Sequence, residues 1–143
     1  MDLHAMAPDA YQAMLALEAY VHSGTLGEAL IGLVKMRASQ INGCAYCLAM
    51  HGEEAREAGV PQRKLDVLPG WNEAPALYSQ RERAALALTE EITRIGEQGV
   101  TDATWQRVRQ AFDATETAQL IMGIGAINVW NRMAISTHMA LPG

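Results

Sequence analysis

The sequence predicts an all-α protein, and three observations indicate this fold class. Strong helix formers such as Ala, Leu, Glu, Arg and Met are abundant, whereas aromatic residues make up only 6% of the chain. Apolar residues recur at helical spacing, and no segment alternates convincingly as a strand would. Gly and Pro interrupt these segments as helix terminators do. We therefore expect a compact multi-helix bundle in which residues 1–143 form a single domain.

The first half of the chain contains four predicted helices. We expect them at residues 8–21, 26–41, about 44–58 and 62–68, followed by an irregular stretch at 71–78. The segment from Thr25 to Glu28 fits a capping box at the start of the second helix. Asn42 or Gly43 is expected to cap the third helix, and the Gly-Val-Pro sequence that ends at Pro61 terminates it.

The second half of the chain contains three further predicted helices. A capping box at Ser79 opens a helix that runs to about residue 97. Thr101 or Asp102 caps a helix through residue 112, and Asp113 starts a long final helix that is apolar almost all round. The residues expected in the core of these helices include Leu86, Leu88, Ile92, Ile95, Trp105 and Val108.

Composition and charge exclude several classes of function. The formal net charge of −5, with no basic cluster, argues against a nucleic-acid partner. No apolar stretch approaches the roughly 20 residues that cross a bilayer, so no membrane partner is expected. The first residues lack the basic and apolar regions of a signal peptide. Because a single pair of cysteines suits a reducing compartment, we expect a cytoplasmic protein.

Cys44, Cys47 and His51 form the most informative motif of the chain. The two cysteines are the only ones present, and the histidine follows the second by four residues. In a helix, side chains at i, i+3 and i+7 lie on one face. Small adjustments in a first helical turn can bring two such sulfurs within disulfide reach, and a helix N-terminus favours the thiolate. Since His51 is near enough to exchange a proton with Cys47, the motif indicates a redox site.

Other interpretations of the cysteine pair have less support. A structural zinc site needs four ligands, and the remaining histidines, His4, His22 and His138, are not paired. Haem attachment requires a histidine at position 48, where the chain has Leu48. A thioredoxin-like motif should lie near a βαβ unit, which the sequence does not predict. Buried, inert cysteines remain an alternative.

The stretch from Lys35 to His51, KMRASQINGCAYCLAMH, resembles the core motif of the alkylhydroperoxidase D family in the carboxymuconolactone decarboxylase-like superfamily. Similarity to this family extends from Leu26 to the C-terminus. The resemblance implies an all-α, oligomeric protein that reduces hydroperoxides with its cysteine pair. It also implies that Cys47 attacks the peroxide and becomes a sulfenic acid, that Cys44 donates a proton and closes the disulfide, and that His51 is the relay histidine.

The sequence departs from the family pattern at one position. The resemblance implies a glutamate twelve residues before the first cysteine, where this chain has Gly32. Glu28, one helical turn earlier, is a candidate catalytic replacement because it can project from the same face. Glu28 also fits a helix cap, and the two roles are not exclusive. Glu54, three residues after His51, is another possible partner, although we expect a solvated surface charge there.

Two functions are consistent with the motif. The first is a thiol-dependent peroxidase that reduces a hydroperoxide substrate, is reduced by an external dithiol or thiol protein, and requires no cofactor or metal. The second is a non-enzymatic, redox-responsive oligomeric protein that keeps the dithiol without efficient turnover. A decarboxylase is a weaker interpretation, because the cysteine pair is not its hallmark. The apolar, glycine-containing run from Leu120 to Trp130, together with the resemblance, predicts a homo-oligomer.

Overall fold

Eight α-helices and no strand make up the computed structural model, which describes all 143 residues. The helices are α1 (Leu3–Met6), α2 (Pro8–His22), α3 (Glu28–Asn42), α4 (Ala45–Glu57), α5 (Gln62–Val67), α6 (Gln80–Thr93), α7 (Asp102–Ala111) and α8 (Ala114–Ser136). A 3-10 helix, Leu68–Glu73, follows α5. The predicted all-α fold class is therefore confirmed.

Helix α3 is the central helix of the bundle. Every residue from Leu30 to Ser39 is buried, because α3 packs against α4, α6 and α8. A helix covered in this way must pair its polar side chains with its neighbours, since a buried polar group without a partner is costly. The three pairs are Lys35 with Glu18 of α2, Arg37 with Glu90 of α6, and Ser39 with Asn131 of α8.

Two large apolar clusters lie in the interior of the bundle, and a small third one joins Cys44 and Cys47 to Ala134 of α8. The first joins α2, α3, α6, α7 and α8, and the second joins α3, α4, α5, the 3-10 helix and α6. Leu33 and Leu88, one in each cluster, are completely buried. Burial of a leucine side chain contributes roughly 1.5–3 kcal/mol, so these clusters fix the position of α3 and α4 firmly. The two helices carry most of the candidate site.

Gly43 forms the sharp corner between α3 and α4. Its φ of +69° is in the left-handed region, which ends α3 and lets the last carbonyls of that helix accept N–H groups from the corner. Cys44 then becomes the N-cap of α4, and its Sγ accepts the N–H of Cys47 at 3.3 Å. The prediction that Asn42 or Gly43 caps this helix is therefore wrong.

Gly32 allows α3 and α4 to approach each other closely. A Cβ atom at this position would lie 3.1 Å from the Cβ of Ala55 and 3.2 Å from its Cα. Ala55 lies on α4, one helical turn after His51. Position 32 therefore faces the helix that carries the histidine, but backbone packing occupies the space that a side chain would need.

Local capping signals predict the helix starts at Ser79, Thr101 and Asp113 correctly, whereas the capping box at Thr25 is wrong. The capping boxes at Ser79 and Asp113 are both present. The box predicted at Thr25 is absent, because Gly27 is the N-cap of α3 and the Thr25 hydroxyl donates to Glu116 of α8 instead. This hydroxyl is thus used in a contact between segments 91 residues apart.

Several predicted boundaries and core positions are wrong. Helix α6 ends at Thr93 and not near residue 97, so Ile95 lies beyond it and is 68% exposed. Trp105 is also exposed, with Arg109 lying over its ring. Helix α1 and the 3-10 helix were not predicted at all; Leu68 and Trp71 are buried in the second apolar cluster. None of the eight helices combines the length and the apolar character needed to cross a membrane.

Candidate active site

The corner between α3 and α4 holds the cysteine pair. Cys44 and Cys47 form a disulfide with their Cα atoms 5.3 Å apart. Because Cys44 is the N-cap, its backbone is extended (φ −85°, ψ 97°), so the disulfide joins the cap to the first turn and does not lie within the helix as predicted. Both cysteines and His51 are at least 96% buried.

A cavity of about 810 Å³ opens over one side of this disulfide. Cys47 and His51 line the cavity, whereas Cys44 does not. Its wall is mainly apolar and comes from α1, α2, α4, α8 and the C-terminal segment, with two residues from α3. Tyr11 and Trp130 meet edge to face on this wall, with ring centroids 5.3 Å apart. A molecule in the cavity would therefore meet Cys47 and not Cys44.

His51 presents an unused nitrogen in this site. Its Nδ1 lies 2.9 Å from a carboxylate oxygen of Glu54, and its Nε2 is buried without a hydrogen-bond partner. When Nδ1–H donates to Glu54, Nε2 carries the lone pair and can accept a proton. Burial lowers the pKa of His51 and the charge of Lys35 lowers it further, while Glu54 opposes both. The ring is thereby kept in its neutral, proton-accepting form near pH 7.

Glu54 and Glu28 make contacts with different histidines. Glu54 was expected to be a solvated surface charge, but it is the direct partner of His51 while remaining 56% exposed on its side chain. Glu28 lies at the cavity rim, where its carboxylate is 2.8 Å from Nδ1 of His22. It forms no hydrogen bond with His51, so its catalytic role stays a prediction and would have to be indirect.

A charged cluster lies on the same cavity, and we call Glu18, His22, Lys35 and Trp130 the Glu18 cluster. The Glu18 carboxylate accepts from Lys35 Nζ at 2.6 Å and from Trp130 Nε1 at 3.0 Å, and it lies 3.2 Å from His22 Nε2. Burial alone would raise the pKa of Glu18, but these partners, Lys35 above all, outweigh burial and lower it. The carboxylate is therefore ionised at neutral pH.

Sequence reasoning did not identify Glu18 or Lys35 as site residues. Two signals were available. Glu18 and His22 are four residues apart on α2, a spacing that places them on one face. Lys35 interrupts the apolar run at residues 29–36, and a lysine in a buried helix requires a partner. The identity of that partner could not be predicted, because it lies on another helix.

No group of three or more His, Cys, Asp or Glu side chains is arranged to hold a metal ion. The chemistry that the site can offer comes from its own side chains: a reversible dithiol, a neutral imidazole and an ammonium group beside an apolar cavity. This combination suits reduction of a molecule by thiols, with proton transfer assisted by His51.

Comparison with known proteins identifies the family. The model of the carboxymuconolactone decarboxylase family matches residues 8–91. The uncharacterized protein YdfG of Bacillus subtilis (strain 168) is 37% identical over 131 residues, which are 92% of this chain and 88% of that protein.

Solved structures give the same result. A protein of unknown function from Agrobacterium tumefaciens, described as a candidate antioxidant defence protein AhpD, is 37% identical, with a TM-score of 0.93 over 100% of this chain and 97% of that chain. The debrominase Bmp8 shares the fold at 16% identity, with a TM-score of 0.83 over 97% of this chain and 74% of that chain. The chain therefore belongs to the carboxymuconolactone decarboxylase family and has an AhpD-like structure.

Proposed function

We propose that the protein is a thiol-dependent peroxidase that reduces hydroperoxides with Cys47, Cys44 and His51. The observation that carries this proposal is the asymmetry of the disulfide: Cys47 lines the cavity together with His51, and Cys44 does not line it. His51 supports the assignment, because its free Nε2 is the kind of base that can take the thiol proton of Cys47.

In the first step, His51 accepts the thiol proton of Cys47, and the thiolate attacks the terminal oxygen of R–O–O–H. An S–O bond forms as the O–O bond breaks, so sulfur is oxidised to a sulfenic acid and the electron pair passes to the leaving RO⁻. The proton held by His51 converts RO⁻ to the alcohol. Cys44 then attacks the sulfur of Cys47, closing the disulfide and releasing water with its own thiol proton.

An external dithiol or thiol protein restores the reduced pair. The cycle requires no cofactor and no metal, and it suits a compartment that supplies thiols, such as the cytoplasm. Glu28, at the cavity rim, can contribute only through His22 in this scheme.

The cavity favours neutral organic hydroperoxides as substrates. Its volume of about 810 Å³ and its mainly apolar wall are suited to a substituent larger than that of hydrogen peroxide. Asp2, Glu54 and Glu57 also line the cavity, and this negative charge disfavours anionic substrates such as fatty-acid hydroperoxides. We therefore expect cumene hydroperoxide to be turned over faster than hydrogen peroxide.

Trapping the sulfenic acid tests the assignment of the two cysteines. In a Cys44→Ser variant, peroxide should leave Cys47 as a sulfenic acid that dimedone labels and mass spectrometry locates. The matched Cys47→Ser variant should show no label. Labelling of Cys44 in the Cys47→Ser variant, with none at Cys47 in the other, would reverse the roles.

The alternative is a redox-responsive protein without efficient turnover. Gly32 favours this alternative, because the carboxylate that the family pattern places there is absent. Steady-state consumption of cumene hydroperoxide with dithiothreitol distinguishes the two functions. Many turnovers per chain support the peroxidase, whereas one stoichiometric oxidation followed by no further consumption supports the alternative.

The same proposal includes a homo-oligomer. Helix α8 exposes Ile121, Met122, Val129 and Ile135, each by 37% or more, and a second copy of the chain would cover this surface. Sedimentation at micromolar concentration should find species larger than the 15.5 kDa chain, and a single 15.5 kDa species would contradict the oligomer.

A further inference from the structure

Lys35 is a buried cation that the scheme above does not use. Its side chain is only 7% exposed, and it is the only lysine or arginine among the residues that line the cavity. An ammonium group has three N–H donors. One donates to Glu18 at 2.6 Å, and a second reaches His22 Nε2 at 3.2 Å when the proton of that ring is on Nδ1, facing Glu28. The third N–H has no protein acceptor.

The position of this ammonium group is fixed before any substrate binds. Lys35 extends from the fully packed α3, and Glu18 holds its Nζ from α2. Glu18 is itself held by the indole N–H of Trp130 from α8. Three helices therefore determine where the positive charge lies. A donor that is positioned in advance stabilises a developing charge without the cost of reorganisation.

Peroxide reduction creates the charge that such a donor can stabilise. As the thiolate attacks, negative charge develops on the leaving oxygen of the hydroperoxide. Alkoxides are strongly basic, so their departure benefits from a cation or a hydrogen-bond donor at that oxygen. Among the lining residues, Lys35 alone carries a permanent positive charge, and it lies close enough to His51 to influence the ionisation of that ring.

We propose that Lys35 is a catalytic residue whose third N–H binds the leaving oxygen of the hydroperoxide, and that Glu18 is the positioning residue that holds it there. This inference rests on the proposed peroxidase function. His51 supplies the proton that converts the leaving alkoxide to the alcohol, and Lys35 stabilises the charge until that proton arrives. Lys35 keeps its own three protons throughout.

A series of leaving groups tests this role. tert-Butyl hydroperoxide releases a strongly basic alkoxide, whereas peracetic acid releases acetate, which needs little stabilisation. Lys35→Met should lower kcat/KM for tert-butyl hydroperoxide by about 10²-fold, but for peracetic acid by less than about threefold. A structural defect would lower both rates equally, and equal losses would overturn the inference.

Three further variants keep the test decisive. Glu18→Gln/Lys35→Met removes both charges, so it leaves no buried carboxylate unpaired and should show the same substrate-dependent loss. Lys35→Arg keeps the charge and should recover much of the rate with tert-butyl hydroperoxide. Lys64→Met breaks a comparable lysine–glutamate pair outside the cavity, in which Nζ lies 2.8 Å from Glu82, and should leave both rates unchanged.

The outcomes also separate this inference from the proposed function. If the unmodified protein turns over neither peroxide, the peroxidase proposal fails and this inference fails with it. If the unmodified protein turns over both, and Lys35→Met and the double variant lose equal factors on both substrates, only the role of Lys35 is overturned.

Discussion

Two carboxylates, Glu116 and Glu18, bind cations in different regions of the protein, and their surroundings differ. Glu116 accepts from Arg81 of α6, from Thr25 in the loop before α3 and from the N–H of Asp113 at the start of its own helix. Its bond to Arg81, aided by Thr25, lowers the pKa of Glu116 to about 2. It does not line the cavity, and it ties three segments of the chain together.

Glu18 also joins three helices, but its partner Lys35 does not use all of its hydrogen-bond donors. Lys35 retains an N–H without an acceptor, and His51, on the same cavity, retains a nitrogen without a donor. The comparison shows that an ion pair alone does not indicate a functional site. The Glu116–Arg81 pair lies away from the cavity and stabilises the fold, whereas the Glu18–Lys35 pair lines the cavity and leaves one N–H available to a bound ligand.

The largest expected effect is at His51. Replacement His51→Gln should lower kcat/KM for cumene hydroperoxide by about 10²- to 10⁴-fold, because it removes the proton acceptor beside Cys47. Steady-state assays with dithiothreitol measure this loss, and thermal unfolding checks the fold. Glu54→Gln keeps the histidine and should lower kcat/KM much less than His51→Gln does. A loss below tenfold for His51→Gln would mean that the cavity does not use this base.

The second-largest expected effect is on stability, at the region around Glu116. Glu116→Gln should reduce the free energy of unfolding by about 1–3 kcal/mol, because the carboxylate that binds Arg81 is lost. Urea unfolding measures this change, and kcat/KM should not change. Glu53→Gln, at an exposed position of α4, is the matched control and should stay within about 0.5 kcal/mol. A fall in kcat/KM with an unchanged free energy of unfolding would mean that Glu116 serves catalysis and not the stability of the fold.

The smallest effect is a pH dependence of stability. Because the pKa of His51 is lowered on folding, the unfolded chain binds more protons below about pH 6.5, and stability falls as pH drops from that value through the folded pKa. His51→Gln should remove this decrease in urea unfolding between pH 7.5 and 5. The contribution of Glu116 should persist over this range, since it is lost only as pH falls from 4.5 towards 2. If the free energy of unfolding depends on pH in the same way in the unmodified protein and in His51→Gln, the assignment to His51 is refuted.

Local signals account for what the sequence predicts well. The capping box predicted at Ser79 and the helix start predicted at Asp113 depend on residues three apart, and both are present. The cysteines and His51 lie close together because they fall within two helical turns at the start of α4. By contrast, Lys35 meets Glu18 across 17 residues, and Thr25 meets Glu116 across 91. Such contacts depend on how helices pack, which no local pattern specifies. The Glu18 cluster could therefore not be predicted from the sequence.

The close contact between Gly32 and Ala55 constrains how the site could be altered by design. A carboxylate placed at position 32 would need α4 to shift by a few tenths of an ångström, since the Cα of Ala55 stays in the way even if its methyl group is removed. His51 lies one turn earlier on that helix and would move with it. A new carboxylate at position 32 would therefore also change the position of His51. Acidic side chains are better introduced from α2, across the cavity, where Glu18 already lies.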